Sequence, residues 1–281
     1  MFKNRFHLAT IKPKINTLGN VAFAADDVLF DWTSFEVPKG GCCFRSFNAV
    51  MAGTNGTAAN GGFKVDLYFA KSIGNLAPPS LGTPNAATTV IKATAARPYI
   101  NNYHCVNGGE YEDDSDGMVG FNVLGKGTVP GGGVSSPGAH VLMSVMEGST
   151  SWIGDLDSPR GNSTGHKATT PGYQTMWVAG IAQGAYDFGT AVLLNQAGNQ
   201  AASTVPVDLV FDGTDADDVF AVGDELISFV AANGGTPKVI GKITSIVSAT
   251  SVVVDAVAEA FADDTEICNL HPIVIKLGLE Y

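Results

Sequence analysis

DADDVFAVGDELISFVAANGGTPKVIGKITSIVSATSVVVDAVAEAFADDTEIC, residues 215–268, alternates apolar runs with turn residues. Three apolar, β-branched runs stand out within it, at 219–230, 239–247 and 252–257. Asn233-Gly234-Gly235 separates the first two runs, Ser248-Ala249-Thr250-Ser251 the next two, and Asp263-Asp264 follows. Asn-Gly between apolar runs is a strong hairpin signal, because both residues tolerate positive φ. Gly223-Asp224 supplies a bend leading into a strand at Glu225-Leu226-Ile227. About fifty residues holding four or five short strands fit a small, self-contained β-barrel. The following run, HPIVIKLGLEY at 271–281, is too short to fold alone and must pair with strands from elsewhere. The barrel therefore reads as an insertion near the end of a larger β domain.

The bulk composition agrees with a β protein whose surface is poor in charge. Of 281 residues, 45% are apolar and only 15% charged, which allows a sizeable core but leaves Ser, Thr, Asn, Gly, Ala or partner subunits to cover the outside. Thirty-four Gly and thirteen Pro mark many turns. A formal net charge of −11 disfavours direct binding to nucleic acid, whose phosphates need clustered Lys and Arg. No apolar h-region follows Met1, and no run approaches the ~18 apolar residues of a membrane span. Folding in a cytoplasm is the expectation. Cys42, Cys43, Cys105 and Cys268 fit it as buried reduced thiols, since adjacent cysteines on a strand point to opposite faces.

Taken in order, residues 1–14 carry Lys3, Arg5, Lys12 and Lys14 and no acid, with Phe2, Phe6, Leu8 and Ile11 interleaved. Such a segment is either a first strand with a solvated end or a basic docking arm that meets an acidic partner. Strand patterns follow at 27–38 and 42–51, and Phe63, Val65, Leu67 and Phe69 alternate onto one face, as in a sheet with one wetter side. Pro-rich 74–88 cannot be ladder, and the acidic loop 110–117 and Gly131-Gly132-Gly133 complete an irregular region of the kind that forms contact surfaces. Strands return at 139–146, 173–181, 190–194 and 205–211, and no sustained helical period appears. The fold class is thus all-β: an antiparallel β-sandwich (jelly-roll-like) main domain, 15–211 plus 269–281, with a small β-barrel insertion at 212–268 and an N-terminal arm at 1–14.

Chemistry is hard to find. Gly161-Asn162-Ser163-Thr164-Gly165 matches the nucleophile-elbow pattern beside His166, but neither a strand before it nor a helix after it is readable. His104 and Cys105 with Cys42 and Cys43 lack zinc-ligand spacing. The acidic loops 110–116 and 212–218 hold the oxygen donors calcium wants without matching its twelve-residue loop. No phosphate-binding glycine motif is present. Trp32, Trp152 and Trp177 are spread among strands and loops, which suits core packing better than a sugar-binding groove. The reading is of a non-enzyme with no cofactor and no metal.

The runs FAVGDELI at 220–227, GKITSIV at 241–247 and SVVVD at 251–255 resemble the small β-barrel modules of tailed-bacteriophage virion structural proteins. The Asp66-Leu67-Tyr68-Phe69 strand and Gly/Pro loops are similar in style to capsid-associated phage proteins. That resemblance implies a capsid decoration (cement) protein on the outer surface of the virion, bound to the major capsid protein and to copies of itself, often as a trimer. Docking would fall to the arm, with Phe2, Lys3, Arg5, Phe6, Lys12 and Lys14 as its contact residues, and the strand at 273–281 as second choice. A tail, baseplate or fibre component and a carbohydrate-binding adhesive module are the other classes.

Overall fold

The run at 273–280 finds its partners near the other end of the sequence. In a computed structural model describing residues 6–15, 22–38, 42–52, 65–73, 76–88, 96–106, 111–113, 118–123, 141–143, 171–185, 188, 192–195, 200–213, 216–229 and 237–280, it forms strand β16 (Ile273–Glu280). β16 lies between β1 (Phe6–Ile11) and β3 (Cys42–Ala52), antiparallel to both. Its alternation is strict. Ile273, Ile275, Leu277 and Leu279 face inward at 3% exposure or less, while Val274, Lys276, Gly278 and Glu280 face outward. Beyond β3 this sheet continues with β7 (Met118–Val123) and then β6 (Tyr111–Asp113), and β8 (Val141–Met143) pairs with the first residues of β3.

A second antiparallel sheet faces the first. It runs in the order β2 (Val28–Pro38), β9 (Tyr173–Ala182), β4 (Val65–Lys71) and β5 (Ile100–Val106). Leu29, Phe35, Val37, Val65, Leu67, Phe69, Met176 and Val178 from this sheet share one core with Ala9, Ile11, Ile275, Leu277 and Leu279 from the other. Phe35 and Phe69 meet edge to face at 6.4 Å, and Phe23 and Phe188 at 6.1 Å. Interdigitated apolar faces of two antiparallel sheets make a β-sandwich. Burying each such Leu, Ile or Phe contributes roughly 1.5–3 kcal/mol, so this interior is the main source of stability. Gly180 is a notch in it: a Cβ there would stand 2.4 Å from the Phe30 ring, beside the irregular register of β2.

Of the stretch 63–69, where one wetter side was expected, the described residues 65–69 have none. β4 is buried on both faces, because residues 76–88 fold over the outside of its sheet. Leu81 (1% exposed) packs there with Val28, Ala96, Ala179 and Ile181, against Trp32 and Tyr68. The segment is held by the Trp32 indole donating to the Pro79 carbonyl (2.8 Å), the Leu81 amide donating to Asp31 Oδ1 (2.9 Å), and backbone bonds joining Val28 to Asn85 and Ala86. Pro-rich sequence thus serves here as a cover for the sheet. Backbone groups of Leu81, Asn85 and Ala86 find their partners on β2.

A second body has its own core and a third sheet, ordered β10 (Val192–Leu193), β15 (Glu266–Asn269), β12 (Glu225–Phe229), β13 (Pro237–Ser248), β14 (Ser251–Val254), β11 (Val207–Val210). Its first and last strands meet at the Leu194–Phe211 bridge, where the Asn195 amide donates to the Val210 carbonyl (2.8 Å). The sheet therefore curls until its edges touch at that point. Leu194, Leu209, Phe211, Phe220, Leu226, Ile243, Val252, Val254, Phe261 and Ile267 fill the inside. The described residues 192–195 and 200–211, read from sequence as part of the larger domain, pack in this body. Leu209 pairs with Val252, and Phe211 packs on Phe220 at 5.4 Å, so their apolar surface is spent here. Gly223, with φ +98, makes the bend expected before β12.

The two bodies share a polar joint. His271 Nδ1 lies 3.0 Å from the Pro13 carbonyl and its Nε2 3.3 Å from a Glu225 carboxylate oxygen. The His271 amide donates to Asn269 Oδ1, Ile15 to the Leu270 carbonyl, and Leu270 to the Glu225 carbonyl. Leu270 packs with Ile227 and Cys268 beside this joint.

Candidate docking face

β1 is where the sequence-expected docking residues meet the fold. Its alternation places Ala9 (5% exposed) and Ile11 (2%) in the core and Phe6 (71%) and Leu8 (64%) outside. The same parity continues past the strand. Pro13 and Ile15 are buried, whereas Thr10, Lys12 and Lys14 are exposed. One side of this single segment thus reads Phe6, Leu8, Thr10, Lys12, Lys14.

The neighbouring strand does not cover it. Phe6 stands opposite Glu280, Leu8 opposite Gly278 and Thr10 opposite Lys276. Directly opposed side chains on an antiparallel pair shield each other, and a glycine shields nothing. Leu8 is therefore bare because of Gly278. Lys276, exposed on β16, adds a third cation to the Lys12–Lys14 end of the face. On the inner side His7 fastens β1 to the opposite sheet. Its Nε2 lies 3.2 Å from the Glu36 carbonyl, and its ring meets Tyr173 edge-on at 5.4 Å.

Of the residues singled out from sequence, Phe6, Lys12 and Lys14 come together on this face, and Phe2, Lys3 and Arg5 lie outside the described residues. Residues 6–11 are a strand of the sandwich rather than a detached arm. Leu8 belongs to the face although the docking set omitted it. Period-two spacing from Phe6 is the signal that points to it.

The other sequence candidates are dispersed. Cys42 and Cys43 lie on β3 in the first sheet and Cys105 on β5 in the second. Cys268 is buried at 1% in the second body. Among the described residues no group of three His, Cys, Asp or Glu side chains converges in a way that would hold a metal ion. The Gly161–165 motif, Trp152 and most of the loop 110–116 lie outside the described residues. Trp32 and Trp177 use their indole N–H internally, the latter donating to Ser72 Oγ at 2.9 Å, so both act as packing groups. No described helix is long and apolar enough to cross a membrane.

Neither a family model nor a curated protein matches the chain. Among solved structures, the crystal structure of Cucumber Necrosis Virus aligns over 100% of this chain and 89% of that one at 12% identity. Its TM-score of 0.17 is too low to argue a shared fold.

Proposed function

We propose that this chain is a structural virion protein that decorates and stabilises the outer surface of a phage capsid, through non-covalent contacts with the major capsid protein and with neighbouring copies. The observation that carries the reading is the outward face of β1, where two large apolar side chains at 71% and 64% exposure adjoin Lys12 and Lys14 in a chain of net charge −11. Phe and Leu adjacent on a strand that solvent could have claimed for polar residues mark a surface meant to be covered. Cations beside them favour an acidic partner and speed its encounter. The resemblance of 220–227, 241–247 and 251–255 to phage virion modules supplies the class of partner. In this reading the work is clamping: a standard interface of ~800 Å² per partner, repeated by symmetry, reinforces a shell without any one tight contact.

Removing residues 2–14 outright is a poor test, because Ala9, Ile11 and Pro13 are buried and the sandwich would lose an edge strand. Removing 2–5 and changing Phe6 and Leu8 to alanine leaves the inner face intact. Binding of that variant to purified empty shells is expected to fall well below wild type. Undiminished binding would dismiss this face. A tail, baseplate or fibre role is separated by stoichiometry, since cement coats a shell in many copies and a tail part is present in few.

A further inference from the structure

The first sheet has a basic edge and an acidic edge. At one end β1 runs into Lys12 and Lys14, and residues 1–14 contain no acid. At the other end β6 is Tyr111-Glu112-Asp113, within the sequence EYEDDSD at 110–116. Among the described residues no strand pairs with the outer edge of either one. Among the described residues the two edges do not pair with each other; β16, β3 and β7 lie between them. Every neighbouring pair along the order β1-β16-β3-β7-β6 is antiparallel, so β1 and β6 run in the same direction.

We propose that copies of this chain join edge to edge, with β1 of one copy beside β6 of the next, parallel, about a rotation axis that runs along the strands. The occupant of each edge is a second copy because each edge carries the charge that the other lacks. Lysines on a lone edge keep other strands away. With acid on the far edge of the same sheet, those lysines also select one partner strand, the β6 of another copy. The contact is heterologous, so it closes into a ring where the rotation allows and otherwise propagates. β6 offers only three residues of ladder, so charge carries much of the attraction and salt weakens it. Phe6 and Leu8 stand perpendicular to the sheet and stay available to a shell. The inference rests on the reading of a coat protein that touches neighbouring copies, but its test contains no shell.

Sedimentation velocity of the full chain at low and at high ionic strength is the experiment, with two charge-reversed variants. One carries Lys12→Glu and Lys14→Glu; the other carries Glu112→Lys and Asp113→Lys. Wild type is expected to associate at low salt and to dissociate at high salt. Each variant alone is expected to associate at least about tenfold more weakly with its circular dichroism unchanged, because its two edges now carry like charge. An equimolar mixture of the two is expected to regain association in alternating contacts, since each altered edge again meets its opposite. A wild-type chain that stays monomeric at low salt overturns the proposal, as does a folded variant that assembles like wild type or a mixture that stays monomeric. Should either variant misfold, the salt response of wild type decides alone. Self-association without shell binding would reject the capsid reading and leave this one standing; shell binding by a monomer would do the reverse.

Discussion

Replacing Phe6 and Leu8 by alanine separates the surface of β1 from its structural role. Fully burying a Phe or Leu side chain is worth roughly 1.5–3 kcal/mol. Phe6 begins at 71% exposure and Leu8 at 64%, so most of that gain is still unrealised in the isolated chain. Docking that covers both can draw on about two-thirds of it, roughly 2–4 kcal/mol for the pair. Alanine retains part of the contact, so the expected loss is about 2 kcal/mol, or roughly thirtyfold in Kd. Stability of the chain itself is expected to stay within ~0.5 kcal/mol, as for other exposed positions. The inward neighbour gives the opposite result. Ile11→Ala, at 2% exposure, removes core volume and is expected to cost about 2–5 kcal/mol of folding stability. Urea denaturation measures the folding stabilities, and co-pelleting with empty shells measures the affinity. If the Phe6/Leu8 double variant lost several kcal/mol of stability, the face would already be covered within the chain and the reasoning refuted. Wild-type affinity for shells would refute it equally.

Other expected outcomes follow from the packing. A methyl on Gly241 would stand 2.1 Å from the Ala256 carbonyl oxygen, a backbone atom held by the Lys242–Asp255 hydrogen bonds, so Gly241→Ala is expected to destabilise the second body by about 3 kcal/mol in thermal unfolding. Gly180→Ala meets the Phe30 ring at 2.4 Å, and pairing it with Phe30→Leu is expected to recover part of the stability that the single change loses. His271→Ala leaves the Pro13 carbonyl and Glu225 without their shared partner and is expected to cost roughly 1–3 kcal/mol, with faster amide exchange at Ile15 and Leu270; unchanged exchange would mean the joint does not couple the bodies.

Much of the architecture was legible because strand chemistry is local. Ile273, Ile275, Leu277 and Leu279 announce a half-buried strand by spacing alone, and a lone strand must pair elsewhere, which it does with β1 and β3. The turns at Gly223 and at 249–250 were readable from their residue types. What escaped was non-local. Nothing in Val207-Asp208-Leu209-Val210 says whether its apolar face meets β14 or the sandwich, and it meets β14. Val65 to Phe69 alternates as though one side were wet, but the cover over that side is a Pro-rich segment whose destination no periodicity encodes. For the candidate site, the charges of Lys12 and Lys14 were visible, whereas the bareness of Leu8 depends on Gly278, far away in sequence.

Imaging of the native particle shows where the chain sits. Density for this chain is expected on the outer capsid surface in many symmetry-related copies, with the Phe6–Leu8 side of β1 against the major capsid protein. Density confined to the tail, or a shell whose surface lacks the chain altogether, would contradict the capsid reading.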